Sequence, residues 1–302
     1  MIRRNVEKEV LTYGDFLGTE LKVTHYFASE LNEQHAPTKG VILYFHGGGF
    51  IYGYREDLPT VYLQMLVENG YELLSFDYPL APEVQFSDIL TCVQRSLEWY
   101  IRKGSKELNK QGIPYVVMGR SAGGYLALQA GIYMMKEIPQ HAPQAIISFY
   151  GFFNLNLPAF QMPSRYYRSY QPVSDQIVAG LTDNGCVVGQ ENDNRFLIYL
   201  ASRQRGDWLD KLAVSKDSIQ FYSLSLEDIQ LLPPLFLASA TRDPDVPVQQ
   251  SRRLSQLHDR AVLHLVNANE HDFDRTDTEN LGKEVYSHLI QWLDALVDKS
   301  EN

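Results

Sequence analysis

Three residues of this 302-residue chain have the types needed for one covalent reaction: Ser121, Asp243 and His271. Ser121 sits in Gly119-Arg120-Ser121-Ala122-Gly123, with Gly124 behind it. Flanking glycines let a strand and a helix approach closely around a sharp, strained turn that presents the hydroxyl. A serine hydroxyl is a weak nucleophile and needs a base to take its proton. His271 is the candidate base, and Asp243 the candidate carboxylate that holds its imidazole in the useful tautomer. Asp245 competes for that role, but Asp245-Val246-Pro247 reads as the entry to the next helix, with Asp245 as its cap. Upstream, His46-Gly47-Gly48-Gly49 places three glycines in a row, each costing backbone entropy on folding. They make sense where main-chain N–H groups must face a ligand, here a negative oxygen forming beside Ser121. The N–H of Ala122 would join them, and one such donor is worth about 3–4 kcal/mol in a transition state. His46 itself reads as a structural hydrogen bonder, and His264, alternating with apolar strand residues, as exposed.

These side chains must be carried by elements that bring them together. Val116-Val117-Met118 reads as the end of a buried strand and Tyr125 to Ala130 as a helix, so Ser121 lies between strand and helix. Residues 1–35 alternate weakly and suggest an opening antiparallel hairpin with one solvated face. Val41–Phe45 is a continuous apolar run of the kind buried on both faces of a sheet, and Tyr71–Phe76, Ala145–Tyr150 and Leu235–Ser239 read as further core strands. Helical spacing spans Asp57–Glu68, Asp88–Lys103, Val248–His258 and Glu279–Val297, and Val262–Val266 is the last short strand. Strand and helix alternate, which predicts an α/β fold: a mostly parallel central sheet with helices on both faces. Ser121, Asp243 and His271 each follow a strand, where functional groups of such sheets collect. Residues 151–231 break the rhythm with short helical stretches, Phe196–Arg205 among them, and no continuous strand. They are expected to form a helical cap inserted into a single domain spanning 1–302. No linker-like composition bounds the insertion.

Composition narrows the function. The net charge of −10 disfavours nucleic acid and anionic membranes as partners. With 44% hydrophobic and 21% charged residues the chain is neither disordered nor membrane-spanning, and no apolar run is long enough to cross a bilayer. The charged start, Met1-Ile2-Arg3-Arg4-Asn5-Val6-Glu7, lacks an apolar segment, so no signal peptide is expected. Cys92 and Cys186 lack metal-ligand spacing, and no disulfide is implied, which fits a cytoplasmic protein. The oligomeric state is left open, a homodimer among the options.

His46-Gly47-Gly48-Gly49, Asp77-Tyr78-Pro79-Leu80-Ala81-Pro82-Glu83 and Gly119-Arg120-Ser121-Ala122-Gly123-Gly124 resemble, in this order, the motifs of the hormone-sensitive-lipase-like branch of the α/β-hydrolases. The resemblance covers residues 40–150 and resumes at 233–298. It implies the α/β-hydrolase fold, hydrolysis of a small-molecule carboxylic ester, no metal or organic cofactor, and an oxyanion hole from Gly48, Gly49 and Ala122. Asp243-Pro244-Asp245-Val246-Pro247 is similar to the acid turn of that family, and His271 with Phe273 to its histidine motif. Three positions depart from the pattern: Arg120 replaces the usual acidic residue, Tyr125 a small polar one and Asp272 a glycine. With the 151–231 insertion, these departures resemble small bacterial hydrolases of a divergent subgroup. Arg120 would either contact a substrate carboxylate or pair with an acidic neighbour to hold the turn. Arg165-Tyr166-Tyr167-Arg168-Ser169-Tyr170 would either line a substrate pocket or form a solvated face. Amide hydrolysis on the same triad, or ligand binding without catalysis, are the other readings the residues allow.

Overall fold

The computed structural model describes residues 5–29, 37–182, 185–191, 194–276 and 280–300. Eight strands form one sheet: β1 (Val6–Phe16), β2 (Thr19–Ala28), β3 (Gly40–Phe45), β4 (Tyr71–Phe76), β5 (Tyr115–Arg120), β6 (Ile146–Phe149), β7 (Leu235–Ala240) and β8 (Ala261–Val266). Their order is β1-β2-β4-β3-β5-β6-β7-β8. The opening hairpin is antiparallel, and β2 joins β4 antiparallel. From β4 to β8 every pairing is parallel. The hairpin closes on Leu17 and Gly18, both at positive φ (51° and 82°), the backbone of a two-residue turn that matches strand twist.

The segments read as core strands fold as strands. β3, β4 and β7 are buried along their whole length, and helices cover both faces. One face packs Phe86–Trp99 and Ala122–Glu137 through Ile89, Val93, Leu126 and Leu128. The other packs Thr60–Glu68 and the terminal helix Leu281–Ser300, where Tyr62 and Tyr286 stack at 4.0 Å. The helix expected from Asp57 begins at Thr60 because Pro59 takes the position before its first turn. Asp57 is thereby released for a buried polar role. The second helix starts two residues earlier than expected, at Phe86, with a capping box between Gln85 and Asp88. It continues as a π turn over Tyr100–Gly104. The expected start of the last helix at Glu279 lies outside the described residues. His264 is half-buried, stacked between Phe236 and His288, which corrects its reading as exposed.

Between β6 and β7, the described residues of 151–231 form short helices and 3-10 turns, with Phe196–Arg205 a helix at the expected bounds. This segment is docked onto the glycine loop and the Asp77–Glu83 turn. Trp208 is buried, stacks on Phe50 and donates its indole N–H to the Gly49 carbonyl at 3.0 Å. Arg195 donates to both carboxylate oxygens of Glu83 (2.8 and 2.6 Å) and to the carbonyls of Ala81 and Ile51. Among the described residues no helix is long and apolar enough to cross a membrane.

Candidate active site

Ser121 occupies a strained turn between β5 and the Ala122–Glu137 helix, with φ 53° and ψ −119°, a region a non-glycine residue seldom adopts. Its N–H is held by the Phe149 carbonyl at 2.8 Å, and Tyr125 N–H returns to the Ser121 carbonyl. The turn exists because Gly119 and Gly123 lack side chains. A Cβ on Gly123 would collide with the carbonyl oxygens of Phe45 and His46, so only glycine lets the helix come this close to β3.

Asp243 follows β7 and His271 follows β8, as their sequence positions predict. His271 Nδ1 lies 2.7 Å from Asp243 Oδ2, and His271 Nε2 lies 2.8 Å from Ser121 Oγ. Residues 122 and 150 positions apart from Ser121 thus meet at its hydroxyl in one hydrogen-bonded line. The other Asp243 oxygen accepts from the backbone N–H groups of Asp245 and Val246, which fixes the carboxylate plane. Burial alone would push the imidazole toward its neutral form. The Asp243 carboxylate, by charge and hydrogen bond, outweighs it and raises His271 above its ordinary 6.5, with Asp245 and Asp272 adding to the effect.

Asp245 is not a helix cap. The helix after it starts at Gln249, and Asp245 is instead buried in an ion pair with Arg203 at 3.0 Å. Its Oδ2 also accepts the hydroxyls of Tyr167 and Tyr199. Desolvation would raise this carboxyl, but Arg203, His271 and the two tyrosines hold it below the usual carboxylate range. Asp243, free of such claims, is the one on the histidine. A cavity of about 200 Å³ opens behind this acid turn, lined by Pro158, Met162, Arg165, Arg203, Asp243 and Pro244. Arg165 of the aromatic and basic stretch therefore reaches a cavity wall, while Tyr166 and Tyr170 are exposed and share a hydrogen bond.

The glycine loop lies beside Ser121. A Cβ on Gly47 would stand 3.3 Å from Ser121 Cβ, and Gly48 has φ 104°, its carbonyl taking the N–H of Ile51 and Tyr52. Ala122 opens its helix, so its N–H is one of the donors with no partner inside that helix. His46 is buried and stacked on Tyr78, with Nδ1 on the Gly47 carbonyl, the structural role its position suggested. Arg120 is buried against Tyr150 and Asp274, so of its two sequence readings the paired one describes the structure. Tyr150, Asp274, Asp57 and Arg203 escaped sequence reasoning. Nothing local marks them, because each acquires its partner only across the folded sheet.

A family model of the α/β hydrolase fold, Abhydrolase_3, matches residues 42–275. Over 151 residues the chain is 32% identical to a non-reducing polyketide synthase of Stereocaulon alpinum, a stretch that covers 47% of this chain and 6% of that protein. The chain thus spans only a small part of the curated relatives it matches. Among solved structures, a protein of unknown function from Staphylococcus aureus superposes with a TM-score of 0.80 at 29% identity, covering 97% of this chain and 99% of that one. An α/β hydrolase superfamily protein from Enterococcus faecalis gives 0.81 at 26%, covering 95% and 98%. A fungal esterase from Rhizomucor miehei gives 0.68 at 18%, covering 98% and 86%, a likeness of fold alone. Sheet order, the strained serine turn and the family match lead to one assignment: the chain belongs to the α/β-hydrolase fold family.

Proposed function

We propose that this chain is a serine hydrolase of the hormone-sensitive-lipase-like, carboxylesterase type that cleaves esters of small, soluble substrates through an acyl-enzyme on Ser121. The observation that carries the reading is the line from Asp243 through His271 to Ser121, with hydrogen bonds of 2.7 and 2.8 Å. His271 Nε2 takes the Ser121 proton as Oγ attacks the ester carbonyl, and Asp243 stabilises the imidazolium that results. The oxygen that becomes negative is received by the N–H groups of Gly48, Gly49 and Ala122. Collapse of the tetrahedral intermediate breaks the bond to the alkoxy oxygen, which leaves as the alcohol with the proton from His271. Water then gives a proton to His271 and attacks the acyl carbon, and the carboxylic acid departs as Ser121 regains its proton. Residues 151–231 serve as a cap over the site, a role supported by the contacts of Trp208 and Arg195 with the glycine loop and its flank. Two free cysteines are consistent with a reducing, cytoplasmic setting.

The test is steady-state hydrolysis of p-nitrophenyl esters from acetyl to longer acyl chains, beside a matched anilide. The reading predicts turnover of short-chain esters well above that of the amide. No hydrolysis at any chain length by folded protein would overturn it.

A further inference from the structure

A triad histidine on a loop needs something behind it. His271 stands between β8 and the short helix Phe273–Thr276. On one side its ring meets the ring of Tyr150 at 4.9 Å between centroids, inclined by 65°. Tyr150 lies just past β6 at φ 39°, so its backbone is itself held in an unusual conformation. The Tyr150 hydroxyl accepts from Arg120 Nε at 2.6 Å and donates to Asp274 Oδ1 at 2.7 Å. Arg120 closes the triangle by donating from Nη2 to the same Asp274 oxygen at 2.9 Å. All three side chains are buried, at 2% exposure or less, and the remaining Asp274 oxygen accepts from Tyr286 on the terminal helix. Asp57 sits on the other side of Arg120, 3.5 Å from Nη1, and also accepts from Tyr44 and faces Arg275.

The positions of the three corners in the chain give the triangle its meaning. Arg120 immediately precedes the nucleophile, Tyr150 carries the ring that supports the imidazole, and Asp274 lies three residues beyond His271. We propose that the buried Arg120–Tyr150–Asp274 triangle is a positioning device that registers the His271 loop against the Ser121 turn. It rests on the esterase reading and adds to it that Arg120 acts through the histidine and not through the substrate. A buried ion pair is a costly way to gain stability, because desolvation offsets most of its attraction. What it supplies is direction: a planar guanidinium fork fits one arrangement of its partners, which a lysine would not reproduce.

The experiment compares wild type with Tyr150→Phe, Asp274→Asn and Arg120→Lys. Each is assayed with a short-chain p-nitrophenyl ester across pH, and rates are normalised to sites titrated with a fluorophosphonate. Tyr150→Phe keeps the ring against His271 and removes the joint. The expected result is a fall in kcat of about tenfold to hundredfold with KM within about twofold, since small misplacements of a reacting group cost this much. The acid limb of kcat/KM should also move down, because an imidazole that wanders loses contact with Asp243 while Asp245 and Asp272 stay near. Arg120→Lys keeps the charge and should still show the kcat loss. The proton resonance of the His271 Nδ1–H, read without substrate, should lose its downfield position in Tyr150→Phe. Wild-type kcat per titrated site with an unmoved limb and resonance would overturn the proposal, whatever happens to the melting temperature. A loss confined to KM would overturn it too, in favour of substrate contact. If wild type itself fails to hydrolyse the ester, the esterase reading falls, and the resonance alone still decides whether the triangle positions the imidazole.

Discussion

His271 is held between two opposing demands. Its proton is favoured by Asp243, yet only the unprotonated ring can accept the Ser121 proton. The acid limb of kcat/KM is therefore expected above 6.5, and replacing Asp243 with Asn should both lower that limb and reduce kcat by a factor on the order of 10⁴. A pH–rate profile of the two proteins checks it; a limb at or below 6.5 in wild type would contradict the cause assigned here. Ser121, Asp243 and His271 were legible in the sequence because each stands just after an apolar strand, and parallel sheets gather such positions at one end. The structure puts Asp243, and not Asp245, on the histidine, for a reason other than the one its sequence offered. Asp245 is excluded not as a helix cap but because Arg203, Tyr167 and Tyr199 already claim its carboxylate.

Among the elements, the strands were read most accurately, since a run such as Val41–Phe45 buried on both faces leaves a continuous apolar signature. Helix ends were read less well where a single residue decides them, as Pro59 does before Thr60. The inserted segment was recognised by its loss of strand rhythm, and its docking was not visible, because Arg195 and Arg203 find Glu83 and Asp245 only in the folded chain. Arg203 shows what that docking rests on: its guanidinium lies within 6 Å of the rings of Phe160, Tyr167, Tyr199 and Trp208 while it pairs with Asp245. Arg203→Met keeps most of the side-chain bulk and leaves Asp245 buried without its partner. A loss of about 3–5 kcal/mol is expected at neutral pH, read as a lower denaturant midpoint with an unchanged slope. A cost below about 1 kcal/mol would mean that solvent reaches Asp245 and that the segment is held mainly by Trp208 and Arg195.

For the whole molecule, the same imidazole links activity to stability. A histidine whose folded value is raised stabilises the fold fully below its unfolded value of about 6.5, and the contribution disappears as pH rises through the folded value. The hydrolase should thus gain activity and lose this share of stability over one pH interval. Replacing His271 with Gln removes this titration, at the cost of activity and of the ring contact with Tyr150, and the stability difference between wild type and variant should still shrink from slightly acid to alkaline pH. Denaturant titrations of both proteins at each end of the interval measure it, and a difference that stays constant or widens would contradict the raised value. The net charge of −10 acts on top of this, and it cancels in the comparison because both proteins carry it.

The central claim is that Ser121 is the nucleophile and that His271 activates it, and intact-mass measurement after exposure to a fluorophosphonate tests both at once. One adduct per chain is expected, located on Ser121, absent in Ser121→Ala and formed far more slowly in His271→Gln. Loss of ester turnover in Ser121→Ala should accompany it, on the order of 10⁶-fold in kcat. An unlabelled Ser121 in folded wild-type protein, or labelling that proceeds equally fast without His271, would contradict the account.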